Sequence, residues 1–181
     1  AVEYGTNSLK PLVSRLHLGG FSTGGTLSAV MAMKDPDVRG LFLFAPAFGI
    51  KDWRVALTGL MSVFTTWVGP PLDDVDIAKY ETFAVNAAYQ IHRLTRLTDS
   101  KFAEGKRLSA PIFAAVSEDD ITVDAGKIVE VFEKYAPSPK SRLILYSARP
   151  EGPAPGKGDV RILAENSRLP EMNVLNFSHP C

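Results

Sequence analysis

Gly20-Phe21-Ser22-Thr23-Gly24 spells Gly-x-Ser-x-Gly, directly after the apolar run Leu16 to Leu18 and directly before a helix-like stretch, Thr26 to Met33. A serine on so tight a strand-to-helix turn sits in strained backbone geometry. Its neighbours two positions away, Gly20 and Gly24, pack too closely for side chains, and its hydroxyl is pushed into the open. That context makes Ser22 a candidate catalytic nucleophile. A second reading is a plain Gly-rich turn in which Ser22 and Thr23 only cap the helix. A third, a phosphate cradle over Gly20 to Thr26, lacks the lysine that should stand before the threonine.

Outward from this turn, four β-rich segments are bounded by turn residues: Arg15 to Gly19, Val38 to Phe44, Pro111 to Val116 and Arg142 to Tyr146. Runs such as Leu41-Phe42-Leu43-Phe44 and Ile112 to Val116 suit strands buried on both faces of a sheet. Helices are expected at Tyr4 to Val13, Thr23 to Lys34 and Val123 to Tyr135, the last two stopped by Asp35-Pro36-Asp37 and Pro137. Strands alternating with helices predict an α/β fold with a mostly parallel sheet.

The stretch from Phe48 to Leu108 breaks the alternation. It contains no convincing strand, and Ile77, Tyr80, Phe83, Ala84, Ala87, Ala88, Ile91, Leu94 and Leu97 recur at spacings of three and four, as on an amphipathic helix. We read residues 48–108 as a helical cap inserted in a single domain spanning 1–181. Its apolar run Trp53 to Trp67 either packs on the sheet or lines an acyl-binding pocket. After Tyr146 comes a Pro/Gly-rich loop, Arg149 to Gly158, then two weaker β-like pieces, Val160 to Ala164 and Met172 to Phe177, that suggest a hairpin through Arg168-Leu169-Pro170.

Composition narrows the function. Of 181 residues, 45% are hydrophobic and 22% charged, ordinary for a globular chain with one sizeable core. Lys plus Arg and Asp plus Glu are balanced at 20 each, so no electrostatic pull toward nucleic acid is built in. The longest apolar candidate, Val55 to Val68, is broken by Thr58, Gly59, Ser62, Thr65 and Thr66 and is too short to span a membrane. The one cysteine, Cys181, makes neither an internal disulfide nor a cysteine-rich metal site.

A serine hydroxyl needs a base to remove its proton and a carboxylate to orient that base. There are three histidines. His17 lies within the strand leading into the turn, which suits a core role; His92 sits on the helical insertion; His179 lies in a loop after a strand-like run, where it can swing over the serine. For the acid, the strand Ile112 to Val116 empties into Ser117-Glu118-Asp119-Asp120-Ile121-Thr122-Val123, and carboxylates at a strand's carboxyl end face the ligand crevice of open α/β sheets. Asp120 is favoured over Asp119 and Glu118, because an apolar residue three positions on starts the next helix and leaves this carboxylate pointing inward. Asp119 and Asp124 also suit the positive end of that helix.

The order Ser22, Asp120, His179, each after an expected strand, resembles the α/β-hydrolase superfamily. Leu18-Gly19-Gly20-Phe21-Ser22-Thr23-Gly24-Gly25, Ser117 to Val123 and Phe177-Ser178-His179 look like its carboxylesterase and monoacylglycerol-lipase-like branch. The resemblance implies a serine hydrolase cleaving small-molecule esters through an acyl-enzyme, with the Thr23 N–H as one oxyanion donor, no metal or organic cofactor, and the cap between the sixth and seventh of the family's eight strands. A thioesterase, amidase or peptidase with the same triad, or a catalytically dead ligand-binding module, are the other readings. Only 21 residues precede Ser22, too few for the family's early strands and second oxyanion donor. The expectation is therefore a partial α/β-hydrolase fold, a fragment of a longer enzyme, with an unpaired apolar sheet edge.

Overall fold

The computed structural model describes residues 2–68, 83–149 and 159–177. Five strands, β1 (Leu16–Phe21), β2 (Val38–Phe44), β5 (Ile112–Ser117), β6 (Arg142–Ser147) and β7 (Ile162–Asn166), form one sheet in the order β1-β2-β5-β6-β7. Every pairing is parallel. Between β2 and β5 the two-residue strands β3 (Trp67–Val68) and β4 (Phe83–Ala84) pair antiparallel, so the insertion holds a small ladder that its sequence does not announce. The helices are α1 (Val2–Leu9), α2 (Thr23–Lys34), α3 (Thr58–Met61), α4 (Val85–Ala103) and α5 (Ala125–Tyr135). Among the described residues no helix is long and apolar enough to cross a membrane.

The period-two alternation of the strands sorts their side chains into two faces. Leu16 on β1, Leu41 and Leu43 on β2, Ile112, Ala114 and Val116 on β5, and Leu143 and Leu145 on β6 form one face. They share a core with Ala29 of α2 and Ile128, Val129, Val131 and Phe132 of α5. Burying a leucine of this kind contributes about 1.5–3 kcal/mol. The opposite face overturns the expectation of strands buried on both sides. Phe42 and Phe44 are 47% and 44% exposed, Phe21 is exposed beside Phe44, Leu163 is exposed on the same face at β7, and Phe113 is half-buried, with ring centroids 6.5 Å from Phe42 and 6.2 Å from Phe44. His17 belongs to this open face, 6.3 Å from the Phe42 ring, and is exposed rather than in the core.

The insertion also departs from its sequence reading. Residues 77–82, where its amphipathic pattern starts, lie outside the described residues. Along α4 the buried positions are Val85, Ala88, Thr95, Thr98 and Phe102, while Leu97 is exposed. The two threonines can be buried because their hydroxyls donate to the carbonyls of His92 and Leu94, at 2.7 and 2.8 Å. The apolar run before it does not pack on the sheet: Trp53, Leu57, Leu60, Val63 and Phe64 are exposed, and Gly59 lies against the Tyr89 ring of α4, where a Cβ would come within 2.6 Å.

At the far end, the expected hairpin between residues 160–164 and 172–177 is replaced by a parallel edge strand. β7 extends the sheet beside β6, and the chain then closes a tight turn in which Leu169 and Val174 exchange backbone hydrogen bonds of 2.9 and 3.0 Å around a 3-10 turn, Pro170–Met172. Parallel pairing next to β6 satisfies more backbone groups than a two-stranded hairpin in solvent.

The turn from β1 into α2 owes its shape to two glycines, only one of them in the Gly-x-Ser-x-Gly pattern as expected. A Cβ on Gly20 would lie 2.3 Å from the Gly24 carbonyl carbon and 2.6 Å from the Gly25 nitrogen. A Cβ on Gly25 would lie 3.0 Å from the Gly20 oxygen and 3.1 Å from Pro46 Cβ. Gly24 faces open space, with nothing within 4 Å. The crowding expected at Gly24 thus falls on Gly25, because α2 rotates the next residue inward against β1 and the turn after β2.

Lys10, in the 3-10 turn after α1, ties that helix to the end of α2: its ammonium donates to Asp35 Oδ1 at 2.9 Å and lies 2.9 Å from Asp37 Oδ2. The Lys10 hydrogen bond holds the buried Asp35 carboxyl below its ordinary range, burial opposes the shift, and the Asp37 N–H adds to it. A carboxyl whose folded pKa is depressed contributes stability that is complete above its unfolded value and lost as pH falls through the folded one. Between pH 5 and pH 3, urea midpoints should therefore fall less in Lys10→Met than in the parent chain. In the same assay at neutral pH, Gly20→Ala should cost about 3 kcal/mol or more, since only backbone can yield, whereas Gly24→Ala should be neutral or stabilising by up to about 1 kcal/mol.

Candidate active site

Ser22 stands between β1 and α2 with φ 52° and ψ −119°. L-residues rarely adopt this region, and holding one there costs about 1–3 kcal/mol. Four hydrogen bonds hold the turn. The Ser22 N–H donates to the Phe44 carbonyl at 2.9 Å, and the Ser22 carbonyl accepts from the Thr26 N–H at 3.2 Å, the Thr26 hydroxyl at 3.4 Å and the Ala47 N–H at 3.2 Å. The turn after β2 is itself strained, with Ala45 at φ 41° and its N–H bonded to the Ala115 carbonyl at 2.8 Å. Thr23 opens α2, so its N–H belongs to the first turn, where backbone donors have no partner within the helix and the helix dipole is positive.

Asp120 follows the end of β5, in the same row of strand ends as Ser22. It is 2% exposed, and its Oδ1 accepts from the N–H groups of Thr122 at 2.8 Å and Val123 at 2.9 Å. Those two bonds fix the carboxylate's orientation and satisfy part of its need in a buried setting. The neighbouring carboxylate, Asp119, behaves differently: it is half-buried, and its Oδ2 accepts from the Ser167 hydroxyl at 2.6 Å. Asp124, expected at the positive end of the next helix, is its N-cap, accepting from the Lys127 N–H at 3.1 Å.

The acid-bearing loop is held from outside by the chain leaving β2. Gly49 accepts from the Asp124 N–H at 3.0 Å, Ile50 bridges Val123, and the Lys51 N–H donates to the Thr122 carbonyl at 3.0 Å. The Lys51 ammonium then reaches two carbonyls of that loop, Glu118 at 3.3 Å and Asp120. Lys51, Ala45 to Ala47 and Gly25 are the parts that sequence reasoning missed. Of these, only the Gly24-Gly25 pair leaves a signal in the chain, while the rest depend on contacts between residues far apart in sequence.

His179 lies outside the described residues. The last described residue before it is Phe177, whose ring packs on Tyr146 of β6 with centroids 4.8 Å apart. The Tyr146 carbonyl in turn accepts the Glu118 N–H at 2.8 Å. Of the other two histidines, His17 is on the open face of the sheet and His92 is half-buried on α4. The structure thus brings Ser22, Thr23 and Asp120 to the carboxyl ends of one parallel sheet, and brings the chain two residues before His179 to the same end.

No protein-family model matches this chain. It is 27% identical over 137 residues, 74% of its own length, to a thermostable monoacylglycerol lipase of Bacillus sp. (strain H-257). A chain from the work on LipS and LipT, two metagenome-derived lipolytic enzymes, superposes with a TM-score of 0.66 at 15% identity, over 80% of this chain and 60% of that one. The monoacylglycerol lipase of Paleococcus ferrophilus gives 0.61 at 16% identity over 80% and 63% of the two chains. A soluble variant of the Saccharomyces cerevisiae monoglyceride lipase gives 0.62 at 15% over 81% and 57%. The chain spans about half the length of the curated relative it matches. Its parallel five-stranded sheet with flanking helices, the serine turn between strand and helix, and the likeness to these solved structures together show that the chain carries part of the α/β-hydrolase fold.

Proposed function

We propose that the protein containing this chain is a serine hydrolase that cleaves carboxylic esters through an acyl-enzyme. The observation that carries the reading is Ser22 held at φ 52° by hydrogen bonds to the next strand's exit, at the start of α2 and at the same end of the sheet as the buried Asp120. Ser22 Oγ attacks the ester carbonyl while the imidazole of His179 takes its proton. The tetrahedral intermediate then expels the alcohol, to which the imidazolium returns that proton, and water repeats the sequence to release the acid. Asp120 orients the imidazole and stabilises its charged form. The Thr23 N–H donates to the developing oxyanion, an interaction whose removal costs about 3 kcal/mol in enzymes of this type.

His179 is assigned the base because Phe177 packs on Tyr146 at the correct end of the sheet, and two residues reach about 7 Å. His17, on the open face, and His92, on α4, are less suited. Residues 48–108 are assigned a cap over the site. The exposed Trp53, Leu57, Leu60 and Phe64 there favour substrates with apolar acyl chains, and the name of the Bacillus relative points to monoacylglycerols. A thioesterase, amidase or peptidase would use the same groups, but neither the apolar cap nor that relative favours one.

Ser22→Ala should lower turnover of a short-chain p-nitrophenyl ester by about 10⁴-fold or more while leaving the circular dichroism spectrum unchanged. A fluorophosphonate, which phosphonylates an activated serine with loss of fluoride, should label Ser22 alone on peptide mapping. Label at any other residue removes the nucleophile assignment, and binding of the ester with neither turnover nor label identifies a ligand-binding module instead.

A further inference from the structure

The two adjacent aspartates after β5 divide their work, and Asp119 is the less obvious of the pair. Its backbone N–H donates to the Ser117 hydroxyl at 3.1 Å, and its Oδ2 accepts from the Ser167 hydroxyl at 2.6 Å, a contact across 48 residues. Ser167 is fully buried and immediately follows β7, and its own N–H donates to the Ser147 carbonyl at the end of β6. From Ser167 the chain runs through the closed Leu169–Val174 turn to Phe177, which rests on Tyr146. The segment leading to His179 is therefore fastened at its start to the loop that carries Asp120 and at Phe177 to the β6 residue beside that loop. Ser167 is bound to Asp119, and Phe177 packs on the residue whose carbonyl takes the Glu118 N–H.

Resting on the assignment of His179 as base, we infer that Asp119 is a positioning residue: through its hydrogen bond to Ser167 it sets where the base-bearing segment stands relative to Asp120 and Ser22. A carboxylate acceptor makes this a charge-assisted bond with narrow geometry. It fixes the segment's start, and the closed turn that follows transmits that placement to Phe177. Because Asp119 and Asp120 are consecutive, a shift of their loop moves Asp120 and the Ser167 anchor of the following segment together. A catalytic pair misplaced by about 1 Å loses roughly 10²-fold in rate, so loosening this one contact has a measurable cost.

The test is a double-mutant cycle on the full-length protein, read as kcat and KM for a p-nitrophenyl ester beside urea midpoints. Asp119→Ala and Ser167→Ala should each lower kcat by about 10-fold or more with KM within about twofold. The double variant should be no worse than the weaker single, since one shared bond is lost. Asp119→Asn, whose side-chain carbonyl still accepts the Ser167 hydroxyl, should recover most of kcat. Asp120→Asn should lose about 10⁴-fold. Full kcat in Asp119→Ala or in Ser167→Ala, or additive losses in the double variant, overturns the inference. An Asp119→Asn as inactive as Asp120→Asn also overturns it, because Asp119 would then be the orienting acid itself. Ser167→Ala removes one hydroxyl and no packing volume beyond it, so the cycle does not hinge on the harsher variant folding. Failure of the serine-hydrolase reading shows separately, as absence of fluorophosphonate label on Ser22 in the parent protein.

Discussion

The backbone of Ser22 cannot hold φ 52° by itself, and most of what surrounds the site follows from how the chain keeps it there. Two strained residues, Ser22 and Ala45, face each other across the ends of β1 and β2, each costing about 1–3 kcal/mol. Their strain is offset by backbone bonds that only this arrangement can make: Ser22 to Phe44, Ala47 to Ser22 and Ala45 to Ala115. Each contributes on the order of 1 kcal/mol, and leaving any of these groups buried and unpaired would cost more. Gly20 and Gly25 are the steric conditions for that closure, since a Cβ on Gly20 would collide with the start of α2 and one on Gly25 would press on Pro46 in the turn after β2.

The same exit from β2 serves the acid. Within seven residues the chain touches the serine turn, through Ala47, and the Asp120 loop, through Gly49, Ile50 and Lys51. Ser22 and Asp120 follow strands separated by the whole insertion, yet one short connector, residues 45–51, is bonded to both turns. The exposed stretch from Trp53 to Phe64 can vary without moving Ser22 against Asp120, provided that residues 45–51 stay paired, whereas Phe48, Phe102 and Leu108 belong to the core. This separation lets an exposed surface vary while the turns at the strand ends stay fixed.

Sequence reasoning did best where one residue type punctuates the chain. β2 falls at Val38–Phe44 and α2 at Thr23–Lys34, as expected, because Asp35-Pro36-Asp37 stops the helix and the serine turn starts it. The last helix begins two residues later than its apolar pattern suggests, at Ala125, because Val123 is taken by the bridge to Ile50 and Asp124 becomes the cap. Contacts between remote segments left no such mark. Nothing in Gly-x-Ser-x-Gly says which following glycine α2 turns inward. Nothing in Ser117-Glu118-Asp119-Asp120 says that the first aspartate meets Ser167, 48 residues on. The continuous apolar run Leu41 to Phe44 predicts two covered faces and finds one, since the pattern reports what a strand can bury and not whether a neighbour is present.

The strand order has a temporal consequence. Apart from the small β3–β4 ladder, each strand pairs with the one that precedes it in the sheet, always on the same side, so the sheet can lengthen in the order in which a ribosome delivers it. β1, α2 and β2 can close the serine turn once residue 47 has emerged, since the bonds from Ser22 to Phe44, Thr26 and Ala47 lie within that stretch. The acid loop then waits for some seventy further residues, and the segment bound by Asp119 for nearly fifty more. Within the described sheet, this order closes the strained serine turn before the acid loop is made, and leaves the longer loop closures to strands that are already paired.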